Sequence, residues 1–145
     1  MKHIVPTLFG VLLATAVNAA NDLHVLATFP EIELALTTGK PVSVAIDLSL
    51  CTPANGVTPP TKTRGGIRIE GYRITADGTL AFADQHFTID RDGEPILQFL
   101  RYHIRLDGNA ELTMVVFKMP SYERKGTSLV YNCAISRGLS FFASE

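Results

Sequence analysis

The chain has 145 residues, of which 46% are hydrophobic and 19% are charged, and its formal net charge is −1. This length suits a single domain with a real hydrophobic core. A near-neutral chain lacks the clustered Lys and Arg that nucleic acids and anionic membranes attract, so we expect neither as a partner.

The N-terminus resembles a secretory signal peptide. Lys2 supplies the positive start, an apolar stretch follows, and Ala19 ends a small-residue cleavage motif. We expect residues 1–19 to be removed and residues 20–145 to form a single domain. No later stretch is long and apolar enough to span a bilayer as a helix. We therefore expect a periplasmic or secreted protein without stable membrane insertion.

If the chain is exported, its two cysteines, Cys51 and Cys133, enter an oxidising compartment. In an oxidising compartment, an even pair of cysteines in a small domain is usually a disulfide. Such a bond would close a long loop and stabilise the fold by about 4–5 kcal/mol. No basic residue flanks Cys51 to activate a thiolate, so the structural interpretation is preferred to a reactive thiol.

The predicted elements begin with a helix and a strand. Thr28 followed by Glu31 matches a capping box, and Gly39 ends the helical pattern. The alternating β-branched run Val42–Leu48 then predicts a strand. The next segment, Thr52–Arg64, is rich in Pro and Thr and predicts an irregular loop, which is either functional or mobile.

Asp-Gly pairs recur every fifteen residues, at Asp77, Asp92 and Asp107, and each predicts a hairpin. At the first pair a three-residue loop is favoured, because it places Ile74 opposite Leu80 and keeps apolar side chains on one face. A two-residue loop would mix the faces. The third pair likewise predicts Ile104 opposite Ala110, Tyr102 opposite Leu112 and Leu100 opposite Met114.

The predicted fold class is α+β: an N-terminal helix packed on a strongly curved antiparallel β-meander, barrel-like at the extreme, with one disulfide. A change of apolar phase between Phe82 and Phe87 predicts a β-bulge near Asp84. Phe141 and Phe142 are expected to cap the core in preference to docking on a partner. The predicted long strands are 67–75, 79–90, 94–105, 109–119 and 127–136.

Two groups of polar residues are weak candidates for a site. Asp84 and His86 lie two apart on a strand and could offer two ligands or an acid–base pair, although polar side chains at a bulge are the favoured interpretation. Arg101, His103 and Arg105 share the polar face of the next strand and could hold an anion, although such a stripe is more often solvated. No catalytic or metal-binding motif is found, so no cofactor, metal or catalytic residue is predicted.

Several segments together resemble the VirK family, small exported bacterial proteins named for a virulence regulon of plant-tumour-inducing bacteria. They are the signal-like start, the segment FPEIELALTTGKPVSVAIDLSLC, the Gly-Gly-led strand from Ile67 to Ile74, and Val130–Cys133. The resemblance implies export and expression together with virulence or host-contact functions. It brings no catalytic residue and no cofactor.

Three hypotheses of function follow. The first is an exported accessory protein, linked to virulence or host interaction, that binds a protein or small-molecule partner. Its site would lie on the concave face of the sheet or under the loop Thr52–Arg64. The second is a small periplasmic hydrolase or metal-dependent enzyme that uses Asp84, His86 or His103. The third is an envelope folding helper whose exposed apolar surface binds unfolded chains.

Overall fold

The computed structural model describes residues 23–56 and 58–144. The predicted signal peptide, residues 1–19, lies outside these residues. Within the described ranges there are one α-helix (α1, Phe29–Thr37), a short 3-10 helix (Leu48–Leu50) and ten strands. The strands are β1 (Leu23–Leu26), β2 (Val42–Asp47), β3 (Thr52–Pro53), β4 (Arg64–Arg68), β5 (Tyr72–Ile74), β6 (Leu80–Ile89), β7 (Pro95–Ile104), β8 (Asn109–Lys118), β9 (Leu129–Ile135) and β10 (Gly138–Ser144).

The strands form one sheet that curls into a half-barrel. Its path runs β4-β2-β10-β9-β8-β7-β6-β5, while β1 pairs with β10 and β3 pairs with β9. The two ends of this path, β4 and β5, are neighbours along the chain and are joined by residues 69–71 alone. Because so short a link connects opposite ends of the sheet, the sheet has to curl back toward its own start.

The predicted strand 67–75 is therefore wrong as a single element. Its first part, β4, pairs with β2, and its second part, β5, pairs with β6. Between them Ile69 turns into the core and is 8% exposed. Gly71 carries no side chain at the bend. The apolar residues alternate on both sides of the bend but change phase there, from Ile67 and Ile69 to Tyr72 and Ile74, and this change is the signal of the break.

The hairpin predictions are confirmed. Around the first Asp-Gly pair, Thr75 donates its N–H to the carbonyl of Thr79 at 2.9 Å, and Ile74 lies opposite Leu80. All three predicted pairs of the third hairpin are present, including Tyr102 opposite Leu112. Side-chain alternation therefore predicted these registers correctly.

The predicted β-bulge near Asp84 is wrong. The pairing of β6 with β7 continues without a break from Leu80 opposite Ile104 to Ile89 opposite Pro95. The phase change in the sequence has another cause. Phe87 and Ile89 lie on the outer face of an unbroken strand, where they are 64% and 66% exposed.

The helix begins as predicted, but the fold class has to be corrected from α+β to mainly β. The Glu31 carboxylate accepts hydrogen bonds from the N–H groups of Ala27 and Thr28 at 2.8 and 2.9 Å. Ile32 and Leu36 of the helix join the hydrophobic core. One helix of nine residues accompanies ten strands in the described chain, so the sheet dominates the fold.

The predicted disulfide between Cys51 and Cys133 is present, with an S–S distance of 2.04 Å. Cys51 follows β2 and Cys133 lies in β9, and both of these strands neighbour β10. The expectation that Phe141 belongs to the core is confirmed, since its exposure is 0%. The segment that contains Phe141 was not predicted as a strand. It forms β10, which lies between β2 and β9 in the sheet.

The proline-rich loop is laid against β9. Thr58 is buried, and its hydroxyl accepts the N–H of Val130 at 2.9 Å. The Tyr131 hydroxyl donates to the carbonyl of Pro59 at 2.9 Å. The described part of this loop therefore satisfies polar groups of β9.

Candidate functional site

A groove runs along the outer face of the sheet where β5, β6 and β7 lie side by side. Its floor is made by Ala81 and Ala83 of β6. In the register of the strands, Arg73 and His103 flank Ala81, and Arg101 lies next to Ala83. Two small residues between long side chains leave a depression, which we call the cationic groove.

Two pockets form the two ends of the cationic groove, and both are lined by Arg73, Ala81, Arg101 and His103. One end has a volume of about 420 Å³ and is bordered by Gly71, Tyr72 and Phe99. We call this the aromatic end. The other has a volume of about 430 Å³ and is bordered by Thr75, Asp77, Thr79, Arg105 and Glu111. We call this the acidic end.

Among the described residues, the arginines of the groove form no close ion pair. Within the described residues, no carboxylate lies within 4 Å of the guanidinium groups of Arg73, Arg101 or Arg105. Elsewhere the chain does pair an arginine, since Arg64 Nε lies 2.7 Å from Asp47 Oδ2. Unpaired guanidinium groups that converge on one depression are donors for an anion.

The environment of His103 reflects this positive potential. Partial burial lowers the pKa of its imidazole, and the Arg101 guanidinium lowers that pKa further. Glu111 acts in the opposite direction, while Arg73 and Arg105 add smaller lowering effects. An anion bound in the groove would reverse this trend, because it would favour the protonated imidazole.

The two ends of the groove differ in the ligand they suit. At the acidic end, a hydrogen bond from the Thr75 hydroxyl lowers the pKa of Asp77, so a negative charge is held there. At the aromatic end, Tyr72 and Phe99 are 40% and 37% exposed. An anion is therefore favoured at the aromatic end, where its apolar part can contact the Phe99 ring.

The structure brings together only some of the predicted site residues. Arg101, His103 and Arg105 border the groove, as their common face predicted. Arg73 was not among the residues predicted from the sequence. Its predicted hairpin register already placed it opposite Ala81, and this signal could have found it.

Asp84 and His86 lie apart from the groove. They alternate with the outer residues of β6 and share the inner-facing side with Phe82. Asp84 lies opposite Leu100, and its charge acts on the Tyr102 hydroxyl, not on His103. The structure therefore does not gather Asp84, His86 and His103 into one arrangement for acid–base or metal chemistry.

Residues 23–56 and 58–144 contain no group of three or more His, Cys, Asp or Glu side chains placed to hold a metal ion. In the same ranges, no helix has the length and apolar character needed to cross a membrane.

The fold and the groove define a class: a small disulfide-tied protein built on one curled β-sheet, with a candidate binding groove on its outer face. The sequence profile of the family described as VirK protein matches residues 25–122. The chain belongs to the VirK family.

Three similar proteins are known, and one of them is itself described as a VirK family protein. Protein y4wH of Sinorhizobium fredii is 74% identical over 145 residues, which cover 100% of both chains. The protein of the pinF2 3′ region of Rhizobium radiobacter is 68% identical, again over 100% of both chains. The crystal structure of lpg1832, a VirK family protein from Legionella pneumophila, has a TM-score of 0.73 at 27% identity and covers 81% of this chain and 98% of that chain.

Proposed function

We propose that this VirK family member is an exported binding protein whose cationic groove holds a small aromatic carboxylate, and that it acts in host interaction or virulence. One observation carries the binding proposal. Arg73 and Arg101 lie diagonally on the two sides of an alanine floor, and no described carboxylate lies within 4 Å of either guanidinium group. Each guanidinium can donate two parallel hydrogen bonds to a carboxylate.

The proposed ligand class follows from the shape of the aromatic end. Phe99 stands on the same outer face of β7 as Arg101, and it borders the space beside the two arginines. A carboxylate attached directly to a planar ring would place its charge between the guanidinium groups and its ring against the Phe99 side chain. A compact anion such as phosphate would use the arginines alone and leave the aromatic contacts unmade.

Calorimetric titration with benzoate tests this proposal, with neutral benzamide and inorganic phosphate as comparison ligands. We expect benzoate to bind more tightly than either comparison ligand. Arg101→Gln is expected to weaken benzoate binding ~10-fold or more, because a charge-assisted hydrogen-bond pair is lost.

Arg91→Gln is the matched control, because Arg91 lies in the turn after β6, outside the groove. It is expected to leave the affinity unchanged. Equal binding of benzoate and benzamide would contradict the charge recognition. Equal weakening by both arginine variants would place the binding outside the groove.

Export is the second part of the proposal. The Cys51–Cys133 disulfide supports it, because such bonds persist in oxidising compartments. The signal-like N-terminus and the family resemblance support it as well. The test is the mass of the protein recovered from the periplasm and from the culture medium. We expect cleavage after Ala19, and an uncleaved chain confined to the cytoplasm would contradict the proposal.

The virulence link rests on the family resemblance and has its own test. A deletion strain is expected to lose competitiveness on a host and to regain it with the wild-type gene. The matched strain carries Arg101→Gln, which should behave as the deletion does. Full competitiveness of the deletion strain would contradict a role in host interaction.

A further inference from the structure

Strand β6 has a free edge on the side that faces away from β7. β5 pairs with β6 only from Leu80 to Phe82, whereas β6 continues to Ile89. In the described part of the chain, no strand pairs with the stretch from Ala83 to Ile89 on that side. We call this stretch the free edge.

The backbone groups at the free edge can be assigned from the neighbouring hydrogen bonds. Asp90 donates its N–H to the carbonyl of Glu94, and the register with β7 is regular from there. The even-numbered residues of β6 therefore bond to β7, and the odd-numbered residues direct their N–H and C=O groups away from it. These groups form a template for another strand.

The free edge has few of the features that protect strand edges. Natural edges are commonly interrupted by Pro, Lys or a β-bulge. The free edge contains no Pro, Lys or Gly, and its pairing with β7 has no bulge. Phe87 and Ile89 stand on it with exposures of 64% and 66%. A regular edge with exposed apolar side chains is suited to pairing with another chain.

We propose that the free edge pairs antiparallel with the free edge of a second copy of this chain, around a two-fold axis at His86. This register uses the whole edge of both copies. It sets Ile89 opposite Ala83 of the second copy and Phe87 opposite Gln85. Each large apolar side chain then meets a smaller or uncharged one, so the outer faces fit without steric conflict.

Charge complementarity on the other face favours a second copy over an unrelated strand. Asp84 points to the inner-facing side of the edge strand, where an inward-pointing charge discourages pairing with an apolar partner. In the proposed register, Asp84 lies opposite Thr88 of the second copy and diagonal to its His86. A carboxylate and an imidazole at this diagonal spacing are within reach of each other. Asp84, which discourages pairing with an apolar strand, therefore favours pairing with a second copy of this chain.

Cysteine cross-linking tests both the partner and the register. His86 would form a non-hydrogen-bonded pair with itself across the axis, with a Cα–Cα distance of about 4.5 Å. This distance lies within the range for a disulfide. Exported His86→Cys protein is therefore expected to form a covalent dimer on mild oxidation. Thr88→Cys is the matched control, because the two copies of residue 88 would be about 13 Å apart along the strands. It is expected to remain monomeric.

A second experiment tests whether backbone pairing holds the dimer. Gln85→Pro removes an N–H from the free edge without removing one that bonds to β7. Its dimer dissociation constant, measured by sedimentation, is expected to rise ~10-fold or more. Phe99→Lys changes the same outer face on β7 and is expected to leave the dimer intact.

Four outcomes would overturn the proposal. The first is wild-type protein that sediments as a monomer at every accessible concentration. The second is equal cross-linking through Cys at positions 86 and 88. The third is a dimer that Phe99→Lys dissociates and Gln85→Pro does not, which would indicate contact between faces. The fourth is a monomer that co-purifies with a different polypeptide that protects the free-edge amides from hydrogen exchange.

Discussion

Gly138 lies against the disulfide, and replacing it with alanine tests how the sheet is closed. A Cβ atom at this position would clash with Cys51 Sγ and would lie 3.3 Å from Cys133 Cβ and 3.4 Å from the carbonyl oxygen of Asp47. The backbone φ of +90° adds a second obstacle, because L side chains rarely adopt it. Glycine is therefore required here for two independent reasons.

The expected loss of stability has two parts. Backbone strain at a positive φ contributes about 1–3 kcal/mol. The close contact with sulfur forces movement in a packed region, which costs about 1–3 kcal/mol more. We therefore expect Gly138→Ala to lower the free energy of unfolding by ~2–6 kcal/mol. This is a large fraction of the stability of a small domain.

A control variant separates these parts. Gly93 has a φ of +84°, and a Cβ atom added there would meet no other atom within 4 Å, so Gly93→Ala carries the strain without the contact. The free energy of unfolding of each variant is obtained from urea denaturation. Gly138→Ala is expected to lose ~1–3 kcal/mol more than Gly93→Ala.

A double-mutant cycle assigns this excess to the sulfur contact. The background variant combines Cys51→Ala and Cys133→Ala, which removes the sulfur and lowers stability by about 4–5 kcal/mol through loss of the cross-link. In that background the excess loss from Gly138→Ala should shrink, and the remainder comes from the 3.3 Å and 3.4 Å contacts with the Cβ atom at position 133 and the Asp47 carbonyl oxygen. An excess of unchanged size without the sulfur, or no excess over Gly93→Ala in the native chain, would refute the reasoning.

Three further variants or conditions test particular contacts. Tyr102→Phe is expected to leave stability unchanged or raise it by ~1 kcal/mol in urea denaturation, because the buried hydroxyl has no hydrogen-bond partner among the described residues; a clear loss would contradict this. Thr58→Val should lower stability by about 1–3 kcal/mol and expose the proline-rich loop to protease, because the Val130 N–H loses its acceptor; unchanged cleavage would contradict it. His103 has a lowered pKa in the folded state, so the unfolded chain binds more protons below about pH 6.5. Stability should therefore fall as the pH decreases from there toward the folded pKa, and His103→Gln should remove this component of the pH profile.

Much of the meander could be predicted from the sequence because the hairpin signals are local. Each Asp-Gly pair specifies a turn, and the apolar residues on either side accept only one register. The register around Asp107 followed from these two facts alone. The disulfide between Cys51 and Cys133 followed from the count of cysteines and the expected compartment.

The parts that could not be predicted depend on contacts between distant segments. β10 is inner in the sheet, yet its mixed composition, with one Gly and two Ser among seven residues, gave a weak strand signal. The bend at residues 69–71 depends on which strands lie at the two ends of the sheet. The apolar Phe87 and Ile89 suggested a bulge, because a pattern rule assumes that large apolar side chains point inward. On an exposed outer face that assumption fails.

The cationic groove could be predicted only in part, because it lies on the outer face of the sheet, whereas core packing determines the residues of the inner face. The inner face is constrained by packing, so residues such as Tyr102 and Phe141 are determined by the core. Ala81 and Ala83 on the outer face do not belong to this core, so the groove can change without loss of the fold. The Legionella pneumophila relative therefore shares the fold at 27% identity, but this likeness alone does not extend the groove to it. If this division of tasks is correct, Arg101→Gln should change binding while altering the free energy of unfolding by less than ~0.5 kcal/mol. A large loss of stability in that variant would show that the groove also supports the fold.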